Sequence, residues 1–160
     1  MNLVEFLTDT LTGRGIVTFL SSMVPIIELR GAIPYGVMSG LPIWISAVVA
    51  IFGNILPVPF IILFARRILD WMKTKSLRLC RLAGRLENRA RSKRLYKGEL
   101  LGLFLFVAIP LPGTGAWTGA LIAAVLSLRL KYAFPVIAAG VAAAGVIIAL
   151  LTSGVGAVVS

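Results

Sequence analysis

Apolar positions along the chain fall into four long blocks, separated by a few polar breaks and one basic stretch. The first block runs from Ile16 to about Leu41 and is interrupted by Pro25, Glu28, Arg30 and Pro34. The second, Leu41 to Ala65, carries no charge and is long enough for a full membrane span of about 20 residues. The third runs from Leu100 to Leu128, with Pro110-Leu111-Pro112-Gly113-Thr114-Gly115 at its centre, a run that no straight helix accommodates. The fourth, Tyr132 to about Val159, is a second full-length span, rich in Ala and Gly. Ahead of the blocks, Leu3, Phe6, Leu7 and Leu11 recur at helical spacing. With Gly13 as a stop signal, this predicts a short amphipathic helix over 1–15 lying at a membrane surface, with a frayed terminus as the alternative. Glu5, Asp9 and the lack of a basic leader argue against a cleavable signal.

The interrupted blocks constrain the architecture most. Broken backbone at membrane depth leaves N–H and C=O groups unpaired, at a cost of several kcal/mol each unless protein or water satisfies them. Two re-entrant helical hairpins resolve this: one over 16–40, turning near Glu28 to Gly31, and one over 99–128, turning near Pro112 to Gly115. Transmembrane helices over 41–65 and 132–159 complete the set. Charge then orients it. Arg66 to Lys97 holds twelve Lys/Arg against Asp70 and Glu87, which accounts for the whole net charge of +10. The positive-inside rule makes 66–98 cytoplasmic and leaves both termini outside. Each half is then hairpin plus span with opposite orientation: an all-α integral membrane protein built as an inverted repeat, the plan of many secondary transporters. A shift of 82 pairs Gly31 with Gly113 and Tyr35 with Trp117. Within the basic stretch Ile68, Met72, Leu79, Leu82, Leu86 and Ala90 form one stripe, which predicts a basic interfacial helix on the inner leaflet, against a merely solvated loop.

Composition removes other classes. Hydrophobic residues make up 59% of the chain and its mean hydropathy is +0.98, too apolar for a soluble domain to cover itself. Because the basic residues flank apolar spans, no nucleic-acid partner is expected. The lone Cys80 suits a reducing compartment. The chain has no His and six scattered acidic residues, and it shows no catalytic set, P-loop, metal cluster or cofactor motif. No enzyme, no metal and no cofactor is expected.

The candidate chemistry sits at the breaks. Glu28 and Arg30 are the ionisable groups within the hydrophobic zone, where each costs about 2.5–3.5 kcal/mol at mid-bilayer and faces a polar interior or a partner. They form either a substrate or proton site or an ion pair that pins the hairpin. Arg30 suits an anion, held in its guanidinium fork, with Gly31 and the half-helix through Pro34 adding N–H groups. Pro110, Pro112, Gly113, Thr114 and Gly115 would open a second half-helix with a nest of amides and one hydroxyl, and Trp117 follows as a pathway residue or an anchor. Glu28 would carry a proton. Asn54, followed by Pro57 and Pro59, would pair with carbonyls that the prolines free, as a kink or as part of the site. Small residues Ala139, Gly140, Ala143 and Ala144 permit close helix contact, within one chain or across a dimer.

Glu28-Leu-Arg-Gly-Ala-Ile-Pro34 and Pro110-Leu-Pro-Gly-Thr-Gly-Ala-Trp-Thr-Gly119 resemble the Putative small multi-drug export protein family. The similarity includes the Gly53-Asn54 step and the basic central segment and covers nearly the whole chain. It implies drug export. The hairpin-plus-span plan is also similar to that of DedA-like membrane proteins, which implies movement of polyprenyl phosphate or phospholipid and proton dependence. The expectation is a secondary exporter of a small or amphipathic, anionic substrate in a prokaryotic cytoplasmic membrane, with protons as a candidate coupling ion, lipids as surroundings and a homodimer as the working form. The alternatives are a lipid-phosphate flippase or scramblase, a lipophilic-cation exporter using Glu28, and a membrane scaffold without transport.

Overall fold

The computed structural model describes residues 10–75, 93–111 and 113–159, and the elements within them are helices. Thr10 is extended and its hydroxyl accepts the Gly13 N–H at 3.0 Å, which caps α1 (Leu11–Met23). Gly13 therefore lies in the first turn of a helix and does not end one. The surface helix expected over 1–15 is cut at Thr10, and its remainder, 1–9, falls outside the described residues. Pro25 ends α1: Val24 takes the extended conformation that precedes a proline, and a turn over 24–27 leads into α2 (Glu28–Met38). The first tip thus turns ahead of Glu28–Gly31, the position expected from the charges. Pro34 sits inside α2, where it removes one hydrogen bond without stopping the helix.

α3 (Ile43–Ile55) and α4 (Val58–Lys75) follow, separated at Leu56-Pro57. Pro57 and Pro59 have no N–H to offer the carbonyls of Gly53 and Ile55, so the ladder breaks there. After 76–92, which lie outside the described residues together with Leu79, Leu82, Leu86 and Ala90 of the expected basic stripe, come α5 (Lys93–Ala108), α6 (Ala116–Val125) and α7 (Leu130–Val159). Both ends of the basic segment 66–98 are thus helix. Among the described residues, two stretches are long and apolar enough to cross a membrane, Ile43–Trp71 with 29 residues and Leu130–Gly154 with 25.

Two compact units result. One contains Met1–Pro57 with Val141–Ser160, and in it α1, α2 and α3 pack pairwise; the other contains Val58–Gly140, in which α6 packs on α4 and α5. A common pattern recurs between α1–α3 and the set α5, α6 and the opening of α7. Gly40 (φ 95) and Ser127 (φ 53) stand 87 residues apart, and each closes its helix with the same pair of bonds. Leu41 N–H donates to Gly36 O and Gly40 N–H to Val37 O; Leu128 N–H donates to Ala123 O and Ser127 N–H to Ala124 O. α3 and α7 then begin at Ile43 and Leu130, again 87 apart. The buried residues of α2 (Glu28, Leu29, Ala32, Ile33 and Gly36) recur as buried Gly115, Ala116, Gly119, Ala120 and Ala123. Those of α3 (Ser46, Ala50, Gly53 and Asn54) recur as buried Ala133, Ile137, Gly140 and Val141.

In the first arms the register is 85, because the second tip, 109–115, is longer. A Cβ on Gly53 would meet the Phe19 carbonyl at 2.5 Å and the Ser22 side chain; one on Gly140 would meet the Phe104 carbonyl at 3.1 Å and the Val107 side chain. Each glycine lets a long helix approach the backbone of its hairpin's first arm. The pairing of Gly31 with Gly113 by a shift of 82 is replaced by this register, which places Gly31 opposite Thr118.

Two helices of the first set, α1 and α3, are inside out. α1 exposes Leu11, Ile16 and Leu20 and buries Thr18 and Ser22; α3 exposes Trp44, Val48 and Phe52 and buries Ser46 and Asn54. A helix in water shows the reverse arrangement.

Candidate functional site

The buried polar or charged side chains among the described residues are Thr18, Ser22, Glu28, Ser46 and Asn54, all carried by α1, α2 and α3. Their counterparts in the second set are Leu103, Val107, Gly115, Ala133 and Val141. Equivalent positions are thus polar in one set and apolar, or bare, in the other. Of the five, only Glu28 and Asn54 stood out in the sequence. Thr18 and Ser22, four apart on α1, and Ser46, eight before Asn54 on α3, were legible as a polar stripe only once these apolar helices were read as inside out.

Glu28 opens α2, is 8% exposed, and has φ 44. A non-glycine residue in this region costs about 1–3 kcal/mol and persists where surrounding structure holds it. At the equivalent position the chain uses Gly115, with φ 156 and ψ −170, a conformation open essentially to glycine alone. A glutamate thus stands where glycine is the inexpensive residue. Arg30 lies in the same helical turn and is half-buried. The amides at this end are largely committed: Ile27 and Glu28 N–H donate to Val24 O, and Gly31 N–H donates to Ile27 O at 3.0 Å. Gly31 packs its Cα face against Ile27, and Pro34 lies in the next turn of α2.

Asn54 lies in the last turn of α3, 1% exposed, and its Oδ1 has no hydrogen-bond partner among the described residues. The expected pairing of that oxygen's amide group with freed carbonyls therefore leaves the oxygen itself available.

The second tip is organised on itself. The Thr114 hydroxyl accepts the Leu111 N–H at 3.0 Å and lies 2.6 Å from Ile109 O and 2.8 Å from Leu111 O, while Thr114 N–H donates to Leu111 O. Gly113 is exposed with φ 86, Pro110 and Trp117 are half-buried, and Pro112 falls outside the described residues. Pro110, Gly113, Thr114, Gly115 and Trp117 belong to the second unit, and Glu28, Arg30, Gly31, Pro34 and Asn54 to the first.

The family model described as Putative small multi-drug export protein matches residues 28–147, three quarters of the chain. The chain belongs to that family. The match begins at Glu28, just after the first turn, and runs through the second tip. No curated protein and no solved structure matches the chain. Family membership together with the two long apolar helices identifies a membrane protein of the small multi-drug export family.

Proposed function

We propose that this small multi-drug export family member is a secondary exporter, built as an inverted repeat of two re-entrant hairpins and two spans, with its charge-selective centre at Glu28. Helix lengths support the hairpins. α1, α2 and α6 have 13, 11 and 10 residues, reaching about 20 Å at most at 1.5 Å per residue, against a hydrocarbon core of about 30 Å. The recurrence of caps, buried positions and glycine contacts supports the repeat. One span separates the two hairpins, so hairpins of equal build enter from opposite sides. The basic segment 66–98 then faces the cytoplasm and both termini face outward. A homodimer is the working form, because so few spans enclose little space.

The observation that carries the reading is the buried, positive-φ Glu28 where the equivalent tip has glycine. It favours an amphipathic cation as substrate, drawn to a carboxylate held out of water. The anionic alternative rests on Arg30, half-buried in the same turn, with fewer supporting donors because the amides of Ile27, Glu28 and Gly31 and the Thr114 hydroxyl are committed locally. Alternating access at this tip, with Glu28 protonation exchanging against substrate, would couple export to protons.

Proteoliposomes tested with tetraphenylphosphonium separate the two. Glu28→Gln keeps the backbone and should lower efflux at least about 30-fold, the loss expected when a buried charge partner worth about 2 kcal/mol is removed. Arg30→Gln should cost less than tenfold. The opposite ranking, together with efflux of a lipophilic anion, would move the site to Arg30, and full activity in both variants would leave the scaffold reading.

A further inference from the structure

Neither charge reading uses Thr18, Ser22, Ser46 or Asn54, yet burying polar groups costs free energy unless something compensates them. The Thr18 hydroxyl donates to Arg14 O at 2.8 Å and the Ser22 hydroxyl donates to Phe19 O at 2.7 Å. Their protons are committed to their own helix, and their oxygens have lone pairs to offer. Ser46 Oγ and Asn54 Oδ1 are buried without a partner among the described residues. These oxygens stand at two levels along α1 and α3. At one, Ser46 Oγ and Thr18 Oγ1 flank Gly36, 2.6 and 3.0 Å from where its Cβ would lie. At the other, Ser22 Oγ lies against Gly53, next to Asn54, and Pro57 leaves the Gly53 carbonyl without a helical donor.

With the Thr18 and Ser22 protons spent on their own helix, acceptor lone pairs outnumber the donors that remain, the Ser46 hydroxyl and the Asn54 amide N–H groups, and this balance suits a cation better than an anion. No group of three or more His, Cys, Asp or Glu residues stands together among the described residues, so a divalent ion, which needs several carboxylates, is a poor fit. Neutral oxygens and carbonyls freed at a helix break suit a monovalent metal ion. We propose that the interior of α1, α2 and α3 is a path for a monovalent metal cation, sodium or potassium, with Ser22 and Asn54 at one level and Thr18 and Ser46 at the next. Its meaning as a coupling ion rests on the exporter reading; the binding itself does not.

The second set supplies the variants, since it already holds Val141 and Ala133 at the positions of Asn54 and Ser46. Purified wild-type protein is melted in NaCl, KCl or choline chloride at one ionic strength, beside Asn54→Val and Ser46→Ala. A bound ion at tenfold excess over its Kd should raise Tm by roughly 3–6 °C over choline chloride. Asn54→Val should abolish that rise while melting no lower than wild type in choline chloride, because it removes an unpartnered buried oxygen. Ser46→Ala should reduce the rise. Equal Tm in all three salts, or a rise retained in both variants, overturns the proposal. Should the variants not purify, equilibrium dialysis of the wild type against radiolabelled sodium and a potassium analogue decides: no ion retained overturns it. Absence of an ion response with Glu28-dependent efflux intact overturns the path and leaves the exporter, whereas an ion response without efflux does the reverse.

Discussion

α1–α3 and the set α5, α6 and early α7 share helix order, caps and buried positions, yet one is polar within and the other apolar. The shared features are those of shape. Gly53 and Gly140 allow close approach to a carbonyl, Gly40 and Ser127 turn a helix end, and Leu41 and Leu128 are buried just after. The differing features are those of chemistry, with Thr18, Ser22, Glu28, Ser46 and Asn54 answered by Leu103, Val107, Gly115, Ala133 and Val141. A fold repeats when volumes and backbone conformations repeat, and polarity is then free to specialise one copy. Polar side chains that packing alone does not require are therefore the strongest guide to where function lies.

The comparison breaks first at the glycines. Gly53→Ala would push a methyl group into the Phe19 carbonyl, and helix separation should cost about 3 kcal/mol or more; Gly140→Ala meets mostly the Val107 side chain and should cost about 1–2 kcal/mol. Thermal or denaturant unfolding in detergent checks this, and equal losses would mean that the two contacts are equally tight. Next comes the interior. Val141→Asn makes the second set resemble the first and should destabilise by about 1–3 kcal/mol, because an amide is buried without compensation. A neutral result would show that the second interior is already solvated. The smallest effect is at the caps. Ser127→Gly should stabilise by about 0.5–1 kcal/mol, since Ser127 holds φ 53 where the first set has glycine.

Much of this plan was legible in the sequence. The spans and both breaks follow from hydropathy, proline and charge, because lipid leaves few ways to satisfy a backbone. The first tip was placed late because Glu28, Arg30 and Pro34 drew the turn toward themselves, whereas the chain turns at Pro25 and keeps α2 helical through Pro34. The shift of 82 rested on matching letters, Gly31 with Gly113. The recurrence of caps and buried positions runs instead at 87 and 85, a two-residue difference that a single shift hides. Thr18, Ser22 and Ser46 were overlooked because a hydroxyl weighs little in hydropathy and in α1 returns its proton to its own helix. Glu28 was legible as a charge, but its positive φ is a property of the folded backbone alone.

The inward polar side chains and outward apolar ones of α1 and α3 also dictate an order of birth. In water the same helices would turn their apolar faces toward one another and their hydroxyls to solvent, closing the wrong way round. Lipid removes that choice by accepting the apolar faces, leaving the polar ones nothing but each other. The segment must therefore reach the bilayer before it packs, and any delay in delivery exposes a competent sequence to a misassembly made from its own best contacts.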